Sequence, residues 1–326
     1  MLYRKLGRTD LNLSEISIGC SGYWGNVNYS EREANMIVNI AFDRGVNFFD
    51  TGHNYSNFNA EPRLGRIVKD LISINGRSNI IISTKGGSII GSAPILPFSP
   101  IISQNFSPNA IERSCQNSIK NLNCEFLDIF QLHGISESQF TDELLGRLLN
   151  MKRKGMFRYL GINTHTTADI LFVSKHPEIF DMILIDYNVL QLDREKLIST
   201  LDQAGVGVVA GTVLAQGHLI KGKIGSIRTG SFFWYLARTI LKPSSRKMAQ
   251  ASKYMRNVLS LISEMSPAQA AFAFILENKK ISSCVFGTTN LNNCLEIIDS
   301  SGMKLSEGNI TRIRECFTSS VPIISA

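Results

Sequence analysis

Four ionisable side chains of four different kinds stand at, or just beyond, the ends of short apolar runs. Asp50 closes VNFFD (46–50), Lys85 closes NIIISTK (79–85) and His133 closes LDIFQLH (127–133), while Tyr55 follows Asp50 by five residues in NFFDTGHNYS. A carboxylate, a phenol, an ammonium and an imidazole form a set suited to proton transfer. An ammonium near a phenol favours the phenolate, which predicts a Tyr55 pKa below the ordinary ~10. A buried lysine needs an anion, and Asp50 is placed to supply it. A tyrosine tuned this way gives a proton to an oxygen gaining negative charge, and His133 can bond the same oxygen and orient a substrate. The set includes no activated nucleophile and no metal cage. The second reactant must come from elsewhere, for instance a hydride from a nicotinamide. Taken singly, each residue has an ordinary reading as a helix cap, surface packing, a solvated amine or a satisfied core imidazole. Their joint placement is what points to chemistry.

That placement depends on the elements carrying them. Eight short apolar runs without strict alternation recur along the chain: 15–20, 46–50, 79–85, 127–133, 157–163, 182–187, 206–211 and 282–287. Runs of this kind are strands covered on both faces. Stretches with helical spacing lie between them. SEREANMIVNIAFDRG (30–45) opens on Ser30 with Glu33 three residues on, a capping box, and closes on Gly45. Three more helices read as opening on Ser107, Thr141 and Ser266. Eight strand-helix units predict an α/β fold, a closed (β/α)8 TIM barrel, with its active site at the C-terminal ends of the strands. Residues 1–14 read as a β-hairpin turning at Gly7–Asp10. Residues 217–246 form a long loop after strand 7, and 317–326 form a C-terminal tail. No linker interrupts the pattern, so residues 1–326 are expected to form a single domain.

Composition excludes several classes. The 326-residue chain has a formal net charge of +7 without a long Lys/Arg block, which argues for a soluble surface rather than a nucleic-acid partner. Six scattered cysteines with no C-x-x-C pair suit reduced thiols and give no metal-ligand set. The charged start MLYRKLGRTD is no signal peptide, and no apolar run is long enough to span a membrane. A cytoplasmic location is expected, and an oligomer is compatible with the sequence.

YRKLGRTDLNLSEISIGC, NFFDTGHNYSNFNAEPRLG, IIISTKGG, LDIFQLHG, RYLGINTHT, DYNVLQ, VLAQGHL and VFGTTNLNNCLE together resemble the aldo/keto reductase superfamily over essentially the whole length. The family's Asp, Tyr, Lys and His tetrad falls on Asp50, Tyr55, Lys85 and His133. The resemblance implies an NAD(P)(H)-dependent oxidoreductase acting on an aldehyde, ketone or sugar-like substrate, with Tyr55 as general acid/base and NADP(H) preferred to NAD(H).

It also implies a cofactor site, on less faithful motifs. The polar pair that holds the nicotinamide amide falls on Asn163 and Thr164, in place of Ser-Asn. Leu184 stands where a Gln is common, and Gly211 where an aromatic ring stacks. The following Ser-Pro-Leu falls on Thr212, Val213 and Leu214, with Gly217 and Leu219 of the loop kept. At the adenosine end the matching positions are Gly287, Thr288 and Thr289 before a helix N-terminus, then Asn293 and Glu296. The segment has no arginine for a 2′-phosphate, and Arg228 in the loop is the expected substitute. Trp24, at a family pocket position, and His53, between Asp50 and Tyr55, are the substrate-side candidates, with mouth packing the alternative for Trp24. The departures leave a cofactor-binding regulatory or weakly active barrel as the second reading. A lyase forming a Schiff base on Lys85 is a remote third.

Overall fold

The structure is a computed structural model, and it describes residues 1–22, 24–90, 102–220 and 243–325. The chain opens with an antiparallel hairpin of β1 (Tyr3–Lys5) and β2 (Asn12–Ser14), Tyr3 opposite Ser14. Its turn is pressed against the barrel floor. A Cβ on Gly7 would fall 2.4 Å from the Gly207 nitrogen, and Gly7 has φ +50°, so both space and conformation call for glycine.

The barrel strands follow: β3 (Ile16–Gly19), β4 (Phe48–Asp50) and β5 (Ile81–Gly86). An antiparallel pair, β6 (Ser88–Ile90) and β7 (Ile102–Gln104), is inserted next. Then come β8 (Leu127–His133), β9 (Phe157–Thr164), β10 (Met182–Asp186), β11 (Gly207–Gly211) and β12 (Ile281–Phe286). The eight barrel strands are parallel, and β12 pairs back onto β3 to close the sheet. Every predicted barrel strand lies within two residues of its observed span.

The helices α1 (Glu31–Asp43), α2 (Ala60–Asn75), α3 (Pro108–Asn121), α4 (Asp142–Arg153), α5 (Thr167–Lys175) and α6 (Glu195–Gln203) lie between successive strands. After β11, α7 (Pro243–Ser260) and α8 (Pro267–Glu277) precede β12, and α9 (Leu291–Ile298) and α10 (Glu307–Ser325) follow it. Helix α1 buries Ala34, Ile37, Val38 and Ala41, one stripe at helical spacing, and its Ser30–Glu33 capping box is present. Thr141 and Ser266 cap as expected. Ser107 does not: its side chain makes no cap bond. Its carbonyl instead accepts from the Ala110 and Ile111 nitrogens, at 2.9 and 3.0 Å. Of the loop expected over 217–246, residues 221–242 with Arg228 lie outside the described residues and 243–246 already belong to α7. The tail expected over 317–326 continues α10 as far as Ser325, and residue 326 lies outside the described residues.

Strand alternation divides the barrel interior into two halves. Phe48, Ile81, Ile129, Met182, Leu184 and Val209 pack with Leu6, Leu11 and Leu13 of the hairpin into an apolar plug. Burying each such side chain contributes about 1.5–3 kcal/mol. Two residues further along several strands, the same face changes character: Phe48 gives way to Asp50, and Ile129 to Gln131 and then His133. The plug lies beneath the polar groups and closes the barrel floor with the hairpin.

Candidate active site

Asp50 and Lys85 end adjacent strands with their side chains inward, and both are almost fully buried, at 3% and 1% exposure. The Lys85 ammonium bonds the Asp50 carboxylate and also donates to the Thr51 carbonyl at 2.7 Å. Burial alone would depress the Lys85 pKa, but Asp50 and Tyr55 together lift it above the ordinary lysine value. A lysine held charged in this way is a poor amine nucleophile, which counts against the Schiff-base alternative.

Tyr55 reaches the pair through a tight turn. Its N–H bonds the Gly52 carbonyl at 3.0 Å, and the His53 N–H bonds the Lys85 carbonyl at 3.1 Å. The phenol ring folds back over Gly52, where a Cβ would stand 3.0 Å from ring carbons. Its centroid lies 5.0 Å from the Lys85 nitrogen. The expectation of a lowered Tyr55 pKa is corrected here. Burial raises it above 10, and the opposing charge of Lys85 does not overcome that. Tyr55 therefore carries its proton at neutral pH, the state a general acid requires.

The His133 ring meets Tyr55 edge to face, 5.7 Å between centroids. Burial first, and then the positive charge of Lys85, push its pKa down to about 3. It is neutral at physiological pH. Its Nδ1 is buried with no hydrogen-bond partner.

Several contributors escaped the sequence reading. Gln131 donates to Asp50 Oδ1 at 2.8 Å and to the Ser83 hydroxyl at 2.7 Å, fixing the carboxylate that anchors Lys85. It precedes His133 by two residues, so strand alternation was the available signal. Gln104, on the inserted β7, donates to the His133 carbonyl at 3.0 Å. Glu61 is wholly buried behind the Tyr55 turn, where His53 Nδ1 donates to it at 3.3 Å. Asp186, also inward-facing, accepts from His165 Nδ1 at 2.7 Å and from the Thr212 hydroxyl at 3.1 Å. Arg194 locks the backbone of this pair, donating to the Asp186 and His165 carbonyls at 2.7 and 2.9 Å.

The remaining candidates divide. Asn163 pairs in register with His133 and donates to the Leu184 carbonyl at 3.2 Å. The buried Thr164 hydroxyl is committed to Asp169 at the start of α5, at 2.8 Å. Thr212 begins a strained segment in which Thr212, Ala215, Gln216 and Gly217 all have positive φ, with Leu214 partly buried and Leu219 buried among them. Gly287 is exposed, and Thr288 and Thr289 partly so, just before α9, which Asn290 caps by accepting from the Asn293 nitrogen at 3.1 Å. Glu296 lies on α9, where its carbonyl accepts from Gln269. Trp24 is 2% exposed and packs on Tyr29, 5.7 Å between rings, with Arg63 donating to its carbonyl. His53 is partly exposed, one nitrogen on Glu61 and its ring edge-on to Phe58. Among the described residues no cluster of His, Cys, Asp or Glu could hold a metal, and no helix is long and apolar enough to cross a membrane.

A model of the aldo/keto reductase family matches residues 15–318. The chain belongs to the aldo/keto reductase family. Members of this family are oxidoreductases that use nicotinamide cofactors on small carbonyl compounds. The L-glyceraldehyde 3-phosphate reductase of Escherichia coli strain K12 is 28% identical over 305 residues, 89% of this chain and 84% of that protein. The L-galactose dehydrogenase of Arabidopsis thaliana is 28% identical over 303 residues, 90% of this chain and 86% of that one. Among solved structures, the holo form of an aldo-keto reductase from Bacillus halodurans superposes with a TM-score of 0.76. It covers 97% of this chain and 96% of its own at 20% identity, a likeness of fold.

Proposed function

We propose that this chain is an NAD(P)(H)-dependent oxidoreductase that interconverts a carbonyl and its alcohol, with Tyr55 as the general acid/base. The observation that carries the reading is the convergence of Tyr55, Lys85 and His133 above an apolar plug, with Asp50 neutralising the lysine. When bound, a reduced nicotinamide supplies a hydride to the carbonyl carbon. Tyr55, protonated, gives its proton to the carbonyl oxygen as charge develops there. Lys85 stabilises the phenolate left behind, Asp50 holds Lys85, and neutral His133 donates from Nε2 to the same oxygen. In the reverse direction Tyr55 takes the proton back.

The residues suit such a cofactor in part. The N-terminus of α9, with Thr288 and Thr289 accessible beside it, fits an anionic phosphate, and Asn163 sits beside His133 for the amide-bearing ring. Thr212, Leu214, Gly217 and Leu219 form the strained segment between these two points. We assign NADP(H) in preference to NAD(H). Arg256, which donates to the His218 carbonyl at 3.0 Å, is a described cation next to this segment. The relatives named for glyceraldehyde 3-phosphate and galactose favour a small hydroxylated carbonyl substrate. His53 and Trp24 are its proposed neighbours, and the cytoplasm its proposed compartment.

Following nicotinamide absorbance against a panel of hydroxylated aldehydes and ketones tests the reading, and cofactor-dependent turnover on at least one is expected. Leu184 and Gly211 favour a second reading, a regulatory or weakly active barrel. Tight cofactor binding without turnover on any carbonyl selects it.

A further inference from the structure

Glu61 is a fully buried carboxylate that the proton-transfer scheme leaves unused. It stands in the first turn of α2, directly behind the turn that carries Tyr55. Three elements converge on it. His53 donates from Nδ1 to Oε2, the Thr84 hydroxyl donates to Oε1 at 2.6 Å, and Asn121 Nδ2 donates to Oε2 at 3.1 Å. Burial on its own would push this carboxyl up, yet His53 first, and then the Ser118 and Thr84 hydroxyls, hold it below the usual carboxylate range. It is a charged group with every described neighbour a donor.

The position of those donors gives the carboxylate its consequence. Thr84 precedes Lys85 on β5, so the two side chains leave opposite faces of the strand. His53 lies between Asp50 and Tyr55, and its backbone N–H bonds the Lys85 carbonyl. Lys85 and Asp50 therefore tie the turn to the strand from inside the barrel, and Glu61 ties the same two segments from outside. The next residues need such a clamp, because Ser56, Asn57 and Phe58 are three consecutive non-glycine residues at positive φ. Each left-handed residue costs on the order of 1–2 kcal/mol and persists only where its surroundings over-determine it. The His53 ring packs edge-on against Phe58, 5.0 Å between centroids, which links the carboxylate to the strained segment.

We propose that Glu61 is a positioning residue for Tyr55, holding the phenol against Lys85 by clamping His53 to Thr84 outside the barrel. The proposal rests on the reductase reading, and its test separates the two. Absorbance titration of the phenolate, taken as the difference between wild type and Tyr55→Phe, isolates Tyr55 from the other tyrosines without any turnover. The groups facing that phenol are Lys85, Asp50, Asp186 and His133. In Glu61→Gln the new amide sets a donor against donors, so the turn loosens and the phenol gains solvent. Its midpoint, raised by burial in the wild type, then falls toward ~10. Turnover falls by about 10²-fold, the scale expected of a misplaced catalytic group, with little change in KM. Thr84→Val, which removes a single bond, gives the same shifts in smaller size and decides the matter if Glu61→Gln fails to fold. An unchanged Tyr55 midpoint and unchanged turnover in either folded variant would overturn the proposal. Absence of turnover in the wild type would instead contradict the reductase reading, and the titration would still decide the role of Glu61.

Discussion

The Lys85 ammonium lies 5.0 Å from the centre of the Tyr55 ring while it is bonded to the Asp50 carboxylate and the Thr51 carbonyl. In the proposed reaction this one cation serves two anions in turn, the carboxylate and the phenolate left by proton transfer. Because burial raises the Tyr55 pKa, the phenol keeps its proton at neutral pH.

Removing either member of the buried pair leaves the other charged without a partner. Lys85→Met is expected to cost about 3–5 kcal/mol of stability, read from the shift of the urea midpoint. Turnover in that variant falls further than the residual fold explains, since the phenolate loses its counter-charge.

His133 makes stability fall in acid. Its pKa is about 3 in the folded chain and ordinary, ~6.5, once unfolded. The unfolded state therefore binds more protons below pH ~6.5, so the contribution of neutral His133 is complete above that value and lost as pH falls toward 3. Between pH 6 and 4, His133→Gln is expected to lose less stability than wild type, by up to about 1.4 kcal/mol for each pH unit. Parallel curves for the two proteins would place His133 in a wetter setting than its burial implies.

Gln131 links the Asp50 carboxylate to Ser83 from within the barrel. Gln131→Leu leaves Asp50 Oδ1 and the serine hydroxyl unsatisfied, a loss of about 1–3 kcal/mol. Denaturant unfolding at neutral pH checks it, with Tyr55→Phe, which leaves the Asp50–Gln131–Ser83 bonds in place, as the comparison.

In the segment after β11, Gln216 has φ +58°. Gln216→Gly relieves a left-handed side chain and is expected to raise stability by about 1 kcal/mol. If the strained shape serves the cofactor, its dissociation constant rises in the same variant, measurable by fluorescence quenching.

The barrel was legible because its signals are local. Each strand is a short Ile/Val/Phe-rich run and several helix starts carry Ser or Thr caps, so element order and the rim of strand ends followed from the sequence. Asp50, Lys85 and His133 drew attention because each closes such a run, and the structure brings them together. What escaped depends on distance in space. Glu61 reads as an ordinary first-turn helix acid, and only burial beneath Thr84, Asn121 and His53 distinguishes it. The sign of the Tyr55 shift escaped for the same reason: the lysine's charge can be read from the sequence, but the desolvation that outweighs it cannot. The β6–β7 pair, Ser88–Ile90 with Ile102–Gln104, was not read from the sequence.

The most direct measurement is single-turnover reduction of an accepted carbonyl by Tyr55→Phe, beside the cofactor dissociation constant of the same variant. The account predicts a rate lower by about 10²–10⁴-fold with cofactor affinity unchanged, because only the proton has been removed. A rate equal to the wild type's would contradict it, since some other group would then be supplying that proton.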